Sequence, residues 1–214
     1  MRLYGYWRSS ASWRVRIGLH LKGLDFDQTP VHLVQDGGQQ HGAEHLARNP
    51  LAQVPVLEVE HEGQTVLLSQ SLAILEYLDE RWPSPRLLPE DPVARARARQ
   101  LAEVVNAGIQ PLQNLYVMQH LKRVGAPDAR AWSAHFIARG LTSLERMAGD
   151  TAGHFLVGDQ VSVADLCLVP QIYNARRFEL DLTAFPILSR VEAACAELPA
   201  FQRAHPSQQP DAAV

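Results

Sequence analysis

Cysteine is scarce in this chain: 214 residues hold only Cys167 and Cys195. Both fall in helix-like surroundings, without C-x-x-C spacing or a zinc-ligand pattern, so no disulfide framework is expected and the pair reads as reduced structural thiols. An apolar run long enough to span a bilayer is also missing, and Met1-Arg2 leads straight into LYGYW instead of a signal peptide. A cytoplasmic protein with no membrane partner is the expectation. Nor does one sign of charge dominate: 20 Lys and Arg against 23 Asp and Glu give a net charge of -3, which offers no bulk attraction to nucleic acid. Repeats and low-complexity segments are absent. What is there, 46% hydrophobic and 20% charged, is ordinary globular composition, enough to bury a full core in one or two domains.

The first 82 residues alternate in type. A strand near Leu3 to Trp7 is followed by a helix whose Trp13, Ile17, Leu21 and Leu24 recur at helical spacing, predicting Ser12 to Lys22 with Gly23 as terminator. A strand near Gln28 to Leu33, a Gly37-Gly38 break and a short helix near Ala43 to Ala47 come next. VPVLEVE and TVLL flank the Glu62-Gly63 turn as a β-hairpin, and Leu72, Leu75, Leu78 and Trp82 mark a further helix. The order is βαβα-ββα. PSPRLLPEDP, residues 83–92, cannot continue a helix and reads as a linker. Beyond it, residues 93–214 read as an all-helical domain: Val93 to Val105, a resumed helix at Leu112 to Leu121, Asp128 to Ala148, a capping-box start at Ser162 with Asp165, and Leu188 to Glu197. Pro170 is expected to kink or end the fourth of these, and SQQPDAAV to form a frayed, flexible tail.

One stretch raises a question of chemistry. RSSASWRVRI, from Arg8 to Ile17, crowds serine hydroxyls and arginines at a helix start, where one serine suffices as a cap and cations oppose the macrodipole. Arg14 and Arg16 either answer a bound anion nearby or pair with acidic side chains elsewhere. Val54-Pro55 adds a second signal. In the cis form it would turn the Val54 backbone outward to pair with an extended peptide; alone, a trans proline opening a strand would be the simpler reading. SQS then opens a helix with Ser71 as N-cap and Gln70 beside it, a site for a carboxylate. A peptide with a carboxylate at one end and a thiol further on would suit a cleft built from these parts.

SSASWRVRI, LKGLDF, NPLAQVPVL, SQSLAILEYL, IQPLQNL, DLCLVPQIYNARRF and LDLTAFP resemble the zeta class of glutathione transferases, from Leu3 to about Pro210. The resemblance implies a thioredoxin-like N-terminal domain, an all-helical C-terminal domain, a homodimer and glutathione as cofactor. It implies that Ser9 supports the glutathione thiolate with Ser10 beside it, and that Gln40, Val54, Gln70 and Ser71 contact glutathione while Gln110 and Asn114 close over it. Arg8, Arg176 and Arg177 match positions that hold the carboxylates of a dicarboxylate-like substrate. The implied activity is glutathione-dependent cis-trans isomerisation of maleylacetoacetate or maleylpyruvate, by thiolate addition, rotation and elimination. Conjugation or α-haloacid dehalogenation by the same site is the alternative, and a non-catalytic interaction protein on the same fold is a third. One position departs from the family pattern: Ala11 stands where the motif usually has cysteine. A thiol-disulfide oxidoreductase would need a cysteine near residues 9 to 12, and there is none.

Three other signals are set aside. HGAEH, His41 to His45, fits a zinc-peptidase spacing but sits on a short glycine-flanked helix without a third ligand, so no metal is expected. Arg95, Arg97 and Arg99 in VARARARQ spread around a helix instead of forming one stripe, which argues against nucleic acid. Trp7, Trp13, Trp82 and Trp132 are well separated and read as packing residues.

Overall fold

The strand β1 (Arg2–Gly5) buries Leu3 and Tyr4 and forms the middle of a sheet. In this computed structural model, which describes residues 1–213, β1 pairs in parallel with β2 (Asp27–Pro30) and antiparallel with β3 (Val56–His61). The strand β4 (Gln64–Ser69) pairs antiparallel with β3, giving the order β2-β1-β3-β4. A parallel β1-β2 pair requires a crossover, and α1 (Ser10–Leu21) supplies it. Between β3 and β4, Glu62 and Gly63 have φ of 51° and 76°, the two positive angles of a type I′ turn whose twist suits a two-residue hairpin. With α2 (Ala43–Arg48) and α3 (Ser71–Arg81) the expected βαβα-ββα order is complete.

The apolar periodicity understates how deeply α1 is buried. Trp13 and Ile17 are buried and Leu21 and Leu24 only half so, yet burial is unbroken from Ser12 to Leu19 and includes Arg14 and Arg16. The cause is packing on more than one side: α1 lies against α3 and against α9 (Pro199–Ala204). Arg16 survives burial by donating to the carbonyls of Trp7 at 2.8 Å, Ala204 at 3.2 Å and Tyr6 at 3.4 Å. Burial lowers its pKa to about 10, with Asp211 acting in the opposite sense, so it remains a cation at neutral pH.

Met1–Leu87 and the chain from Leu198 onward make one compact unit, and Leu88–Glu197 the other. This corrects the frayed tail. Residues 206–208 and 210–213 form two further turns, with Pro206 and Gln209 buried and the Gln209 amide donating to the carbonyls of Arg203 and His205. Polarity alone suggests a solvated end; an amide with both donors used is what holds it down. The proline-rich stretch is likewise fastened at its start. Lys22, its side chain fully buried, donates to Asp79 at 2.8 Å and to the carbonyls of Trp82 and Pro85, while Asp79 also accepts from the Leu87 N–H at 2.7 Å.

In the second unit α4 (Pro92–Asn106) is capped by Asp91, and α6 (Ala129–Ala148) buries Ile137, Leu141, Leu144 and Ala148 as the spacing predicts. Between them lie a tight turn, Gln110–Gln113, and α5 (Leu115–Arg123). Gly140 lets α6 approach that turn closely, since a Cβ there would fall 2.2 Å from Ile109 Cγ1. The helix α7 (Val163–Arg177) begins with the expected capping box: Ser162 and Asp165 bond each other's backbone and side chain, and Asp165 also accepts from the Leu156 N–H at 2.9 Å. It continues past Pro170 to Arg177 with ten consecutive residues from Val163 to Ile172 buried. A mid-helix proline costs about 3 kcal/mol, less than the apolar burial of this run supplies at about 1.5–3 kcal/mol for each large side chain. Last comes α8 (Pro186–Ala196).

Candidate active site

Ser9 is the N-cap of α1, so the helix begins two residues earlier than the apolar spacing predicts. Its φ and ψ of -66° and 120° are extended, and its Oγ accepts from the Ser12 N–H at 3.2 Å. Capping uses a lone pair and leaves the hydroxyl proton available to donate outward. The N–H groups of Ser10 and Ala11, in the first turn, have no intrahelical acceptor, so hydroxyl, amides and helix dipole together favour an anion at this point. Arg8, half-buried, lies with its guanidinium carbon 5.2 Å from the Trp7 ring centroid.

The start of α3 lies beside this one. Ser71 is its first helical residue and not its N-cap, a correction to the expected cap: Gln70 occupies that position, exposed, at φ 69° and without a side-chain cap bond. A non-glycine residue held in that region costs about 1–3 kcal/mol, and such strain collects at binding sites. Ser71 is buried because its Oγ accepts from Arg14 Nη1 at 3.2 Å. Arg14 therefore joins the two helix starts, and the two arginines of α1 have different roles. Arg14 serves the start of α3, whereas Arg16 is spent on backbone carbonyls.

Two more parts of the same unit carry polar groups without a partner in the fold. The Val54-Pro55 bond is cis, and among the described residues the Val54 N–H and C=O take no backbone partner. The Gln53 carbonyl just before it is held by His45 Nε2 and Asn49 Nδ2, each at 2.9 Å. This commits the His45 ring to a structural bond, and no group of three or more potential metal ligands occurs among the described residues. Gln40 is buried, and its Oε1 has no hydrogen-bond partner among the described residues. A buried amide oxygen left so costs about 1–3 kcal/mol unless a donor reaches it. The uncapped start of α3 suits a carboxylate, the Val54 backbone an extended peptide, the Gln40 oxygen an N–H and the Ser9 hydroxyl an anion.

The second unit holds the remaining candidates. Gln110 opens the tight turn, half-buried, and Asn114 caps α5 through its Oδ1. Arg176 pairs with both carboxylate oxygens of Glu192. Arg177 donates to Asn174 Oδ1 at 2.9 Å, Asn174 donates to Gln113 Oε1 at 2.5 Å, and Gln113 donates to Gln171 Oε1 at 2.7 Å. Because arginine can only donate, it fixes the orientation of all three amides. Sequence reasoning misses this chain, since isolated Gln and Asn carry no periodic signal. It also misses the Arg14-Ser71 link, which is detectable only as an arginine on a helix whose every face is covered.

Both cysteines are buried, and burial pushes the Cys195 thiol well above the ordinary range, with Asp165 and Glu192 adding to the shift. No sulfur nucleophile comes from the chain itself.

Comparison with known proteins places the chain in a family. The glutathione S-transferase N-terminal domain matches residues 1–80 and the C-terminal domain of the same family residues 141–199. The maleylacetoacetate isomerase of Rattus norvegicus is 50% identical over 209 residues, covering 98% of this chain and 94% of its own. The crystal structure of maleylacetoacetate isomerase from Anaeromyxobacter dehalogenans 2CP-1 with bound GSH in the active site superposes with a TM-score of 0.91 at 56% identity, over 99% of this chain and 97% of that one. The same protein has been crystallised with bound dicarboxyethyl glutathione and citrate in the active site, with a TM-score of 0.90 at 55% identity over 99% and 96% of the two chains. A holo maleyl pyruvate isomerase, a bacterial zeta-class transferase, gives a TM-score of 0.92 at 39% identity over 99% of each chain. With its serine-capped helix, its buried cysteines and relatives alike over nearly their whole length, the chain belongs to the zeta class of the glutathione S-transferase family, among the maleylacetoacetate and maleylpyruvate isomerases.

Proposed function

We infer that this chain is a glutathione-dependent cis-trans isomerase of maleylacetoacetate, with maleylpyruvate as the second candidate substrate. The observation that carries the reading is Ser9: a capping serine whose hydroxyl proton stays available, in a protein whose own thiols are buried. Glutathione, when bound, supplies a nucleophilic sulfur whose reversible addition to a cis alkene permits rotation about that bond. The chain's part is to keep that sulfur ionised and both partners oriented. Ser9 donates a hydrogen bond to it, and Ser10 and Ala11 turn the positive end of α1 toward it. Gln70 and Ser71 receive the γ-glutamyl carboxylate at the start of α3, Val54 pairs with the peptide backbone, and Gln40 accepts an N–H. Gln110 and Asn114 are further candidates for cofactor contact on the resemblance alone. A cytoplasmic location and a homodimer belong to the same reading; no helix among the described residues is long and apolar enough to cross a membrane.

By the resemblance, Arg8, Arg176 and Arg177 are the candidates for the substrate carboxylates. Arg176 is engaged by Glu192, a pairing that a substrate would have to displace, and Arg177 is itself held by Asn174. Replacing Arg177 with Ala should raise KM for maleylacetoacetate by about 10- to 100-fold, the worth of one charge-assisted hydrogen bond. Arg176→Ala should raise KM by less than about tenfold, because any carboxylate contact it makes is offset by breaking the Glu192 pair. Steady-state assays with maleylacetoacetate and maleylpyruvate, in which loss of the cis alkene is followed by absorbance, test both variants and the choice of substrate. Turnover of neither compound in the presence of glutathione would contradict the reading.

A further inference from the structure

The loop that delivers Ser9 is held at every backbone polar group of the two residues that begin it. Tyr6 N–H donates to Ser12 Oγ at 3.4 Å, and Tyr6 C=O accepts from the Ser9 N–H at 3.0 Å. Trp7 C=O accepts from Arg16 at 2.8 Å. These anchors come from Ser9 and from α1, the helix that the loop leads into. The fourth does not: Trp7 N–H donates to Asp211 Oδ2 at 2.9 Å, from the far end of the chain. The segment carrying Asp211 is itself fastened within the same unit. Gln209 is buried, its Nε2 donates to the carbonyls of Arg203 and His205, and its Oε1 accepts from Gln28 of β2 at 2.9 Å. His205, just upstream, packs edge-on against Trp13 of α1, with ring centroids 5.3 Å apart.

We propose that Asp211 is a positioning residue for the glutathione sulfur site: it closes the C-terminal segment onto Trp7 and so fixes where Ser9 presents its hydroxyl. The inference rests on the assignment of Ser9 above. Trp7 sits two residues before Ser9, and without Asp211 its N–H loses its acceptor in a part-buried position. The loop is then free to rotate about Trp7 and Arg8, and the serine hydroxyl loses its aim at a sulfur whose acidity depends on a directed hydrogen bond. Asn at 211 can still offer an oxygen to the Trp7 N–H, whereas Ala cannot, which separates the hydrogen bond from the negative charge near Arg16.

The test compares Asp211→Ala, Asp211→Asn and Ser9→Ala in the full chain with three readouts: glutathione affinity by calorimetry, the pKa of the bound thiol from thiolate ultraviolet absorbance, and amide hydrogen exchange over residues 7–10. The Ala variant should weaken glutathione binding about five- to tenfold, the worth of one lost hydrogen bond, raise the bound thiol's pKa and speed exchange at Trp7. The Asn variant should restore all three. If the Ala variant keeps the parent's affinity, thiol acidity and exchange, or if Asn behaves like Ala, the proposal is overturned. Unchanged thiol acidity in Ser9→Ala would overturn the assignment of Ser9 instead, and the exchange data keep the two failures apart.

Discussion

Ser9→Ala lowers the rate of glutathione-dependent isomerisation by about 100-fold, the usual effect of removing one hydrogen-bond donor directed at developing or held charge. Glutathione affinity falls much less, because the carboxylate site at α3, the Val54 backbone and Gln40 are untouched. The split follows from what the hydroxyl does: it is aimed at one atom, the sulfur, and distinguishes thiolate from thiol. Alanine also removes the cap of α1, a bond from the Ser12 N–H worth about 1 kcal/mol, so a modest fall in stability accompanies the kinetic effect. Parallel calorimetry and steady-state kinetics separate the two. A variant with wild-type turnover would remove Ser9 from the mechanism.

Asp165→Ala produces the largest loss of stability. The carboxylate is fully buried and accepts from the N–H groups of Leu156 and Ser162 and from the Ser162 hydroxyl. Alanine leaves two buried backbone donors without acceptors, each costing about 1–3 kcal/mol, so a total of about 3 kcal/mol or more is expected in chemical denaturation. The acid has a further signature. Burial raises its pKa to about 6 from an ordinary 3.8, against the hydrogen-bond donors around it, which lower it. The folded state therefore holds the proton more tightly than the unfolded state. Its contribution is greatest below about pH 4 and declines as pH rises through about 6, where the buried carboxylate must ionise. Asp165→Asn, which cannot ionise, should remove that part of the pH dependence. An identical stability-pH slope in the Asn variant and the parent over this range would contradict the assignment.

The order of elements is legible in the sequence because each signal is local. Glu62-Gly63 supplies the hairpin turn, Ser162 and Asp165 the capping box, and the Ile137, Leu141, Leu144 and Ala148 spacing the buried face of α6. The serine cluster is local too, and its crowding at one helix start raises the question of a bound anion. What the sequence hides depends on partners distant in the chain. Arg14 and Arg16 are identical side chains two residues apart, and nothing local tells which partners they find: one reaches Ser71 and the other the carbonyl of Ala204, nearly two hundred residues away. The tail carries few apolar residues, which predicts fraying, but the bonds of Gln209 and Asp211 hold it against the first unit. Serine commonly caps helices, which predicts Ser71 as the cap of α3. Instead its hydroxyl serves the guanidinium of Arg14, and Gln70 takes the cap position with a strained backbone.

Ultraviolet titration of the protein-glutathione complex, following thiolate absorbance, is the most direct measurement to make. A free thiol of this kind ionises near about pH 8.5, and with the Ser9 hydroxyl and the start of α1 against it the bound sulfur should ionise about one to two units lower. A bound thiol that titrates at the same pH as free glutathione would contradict the account.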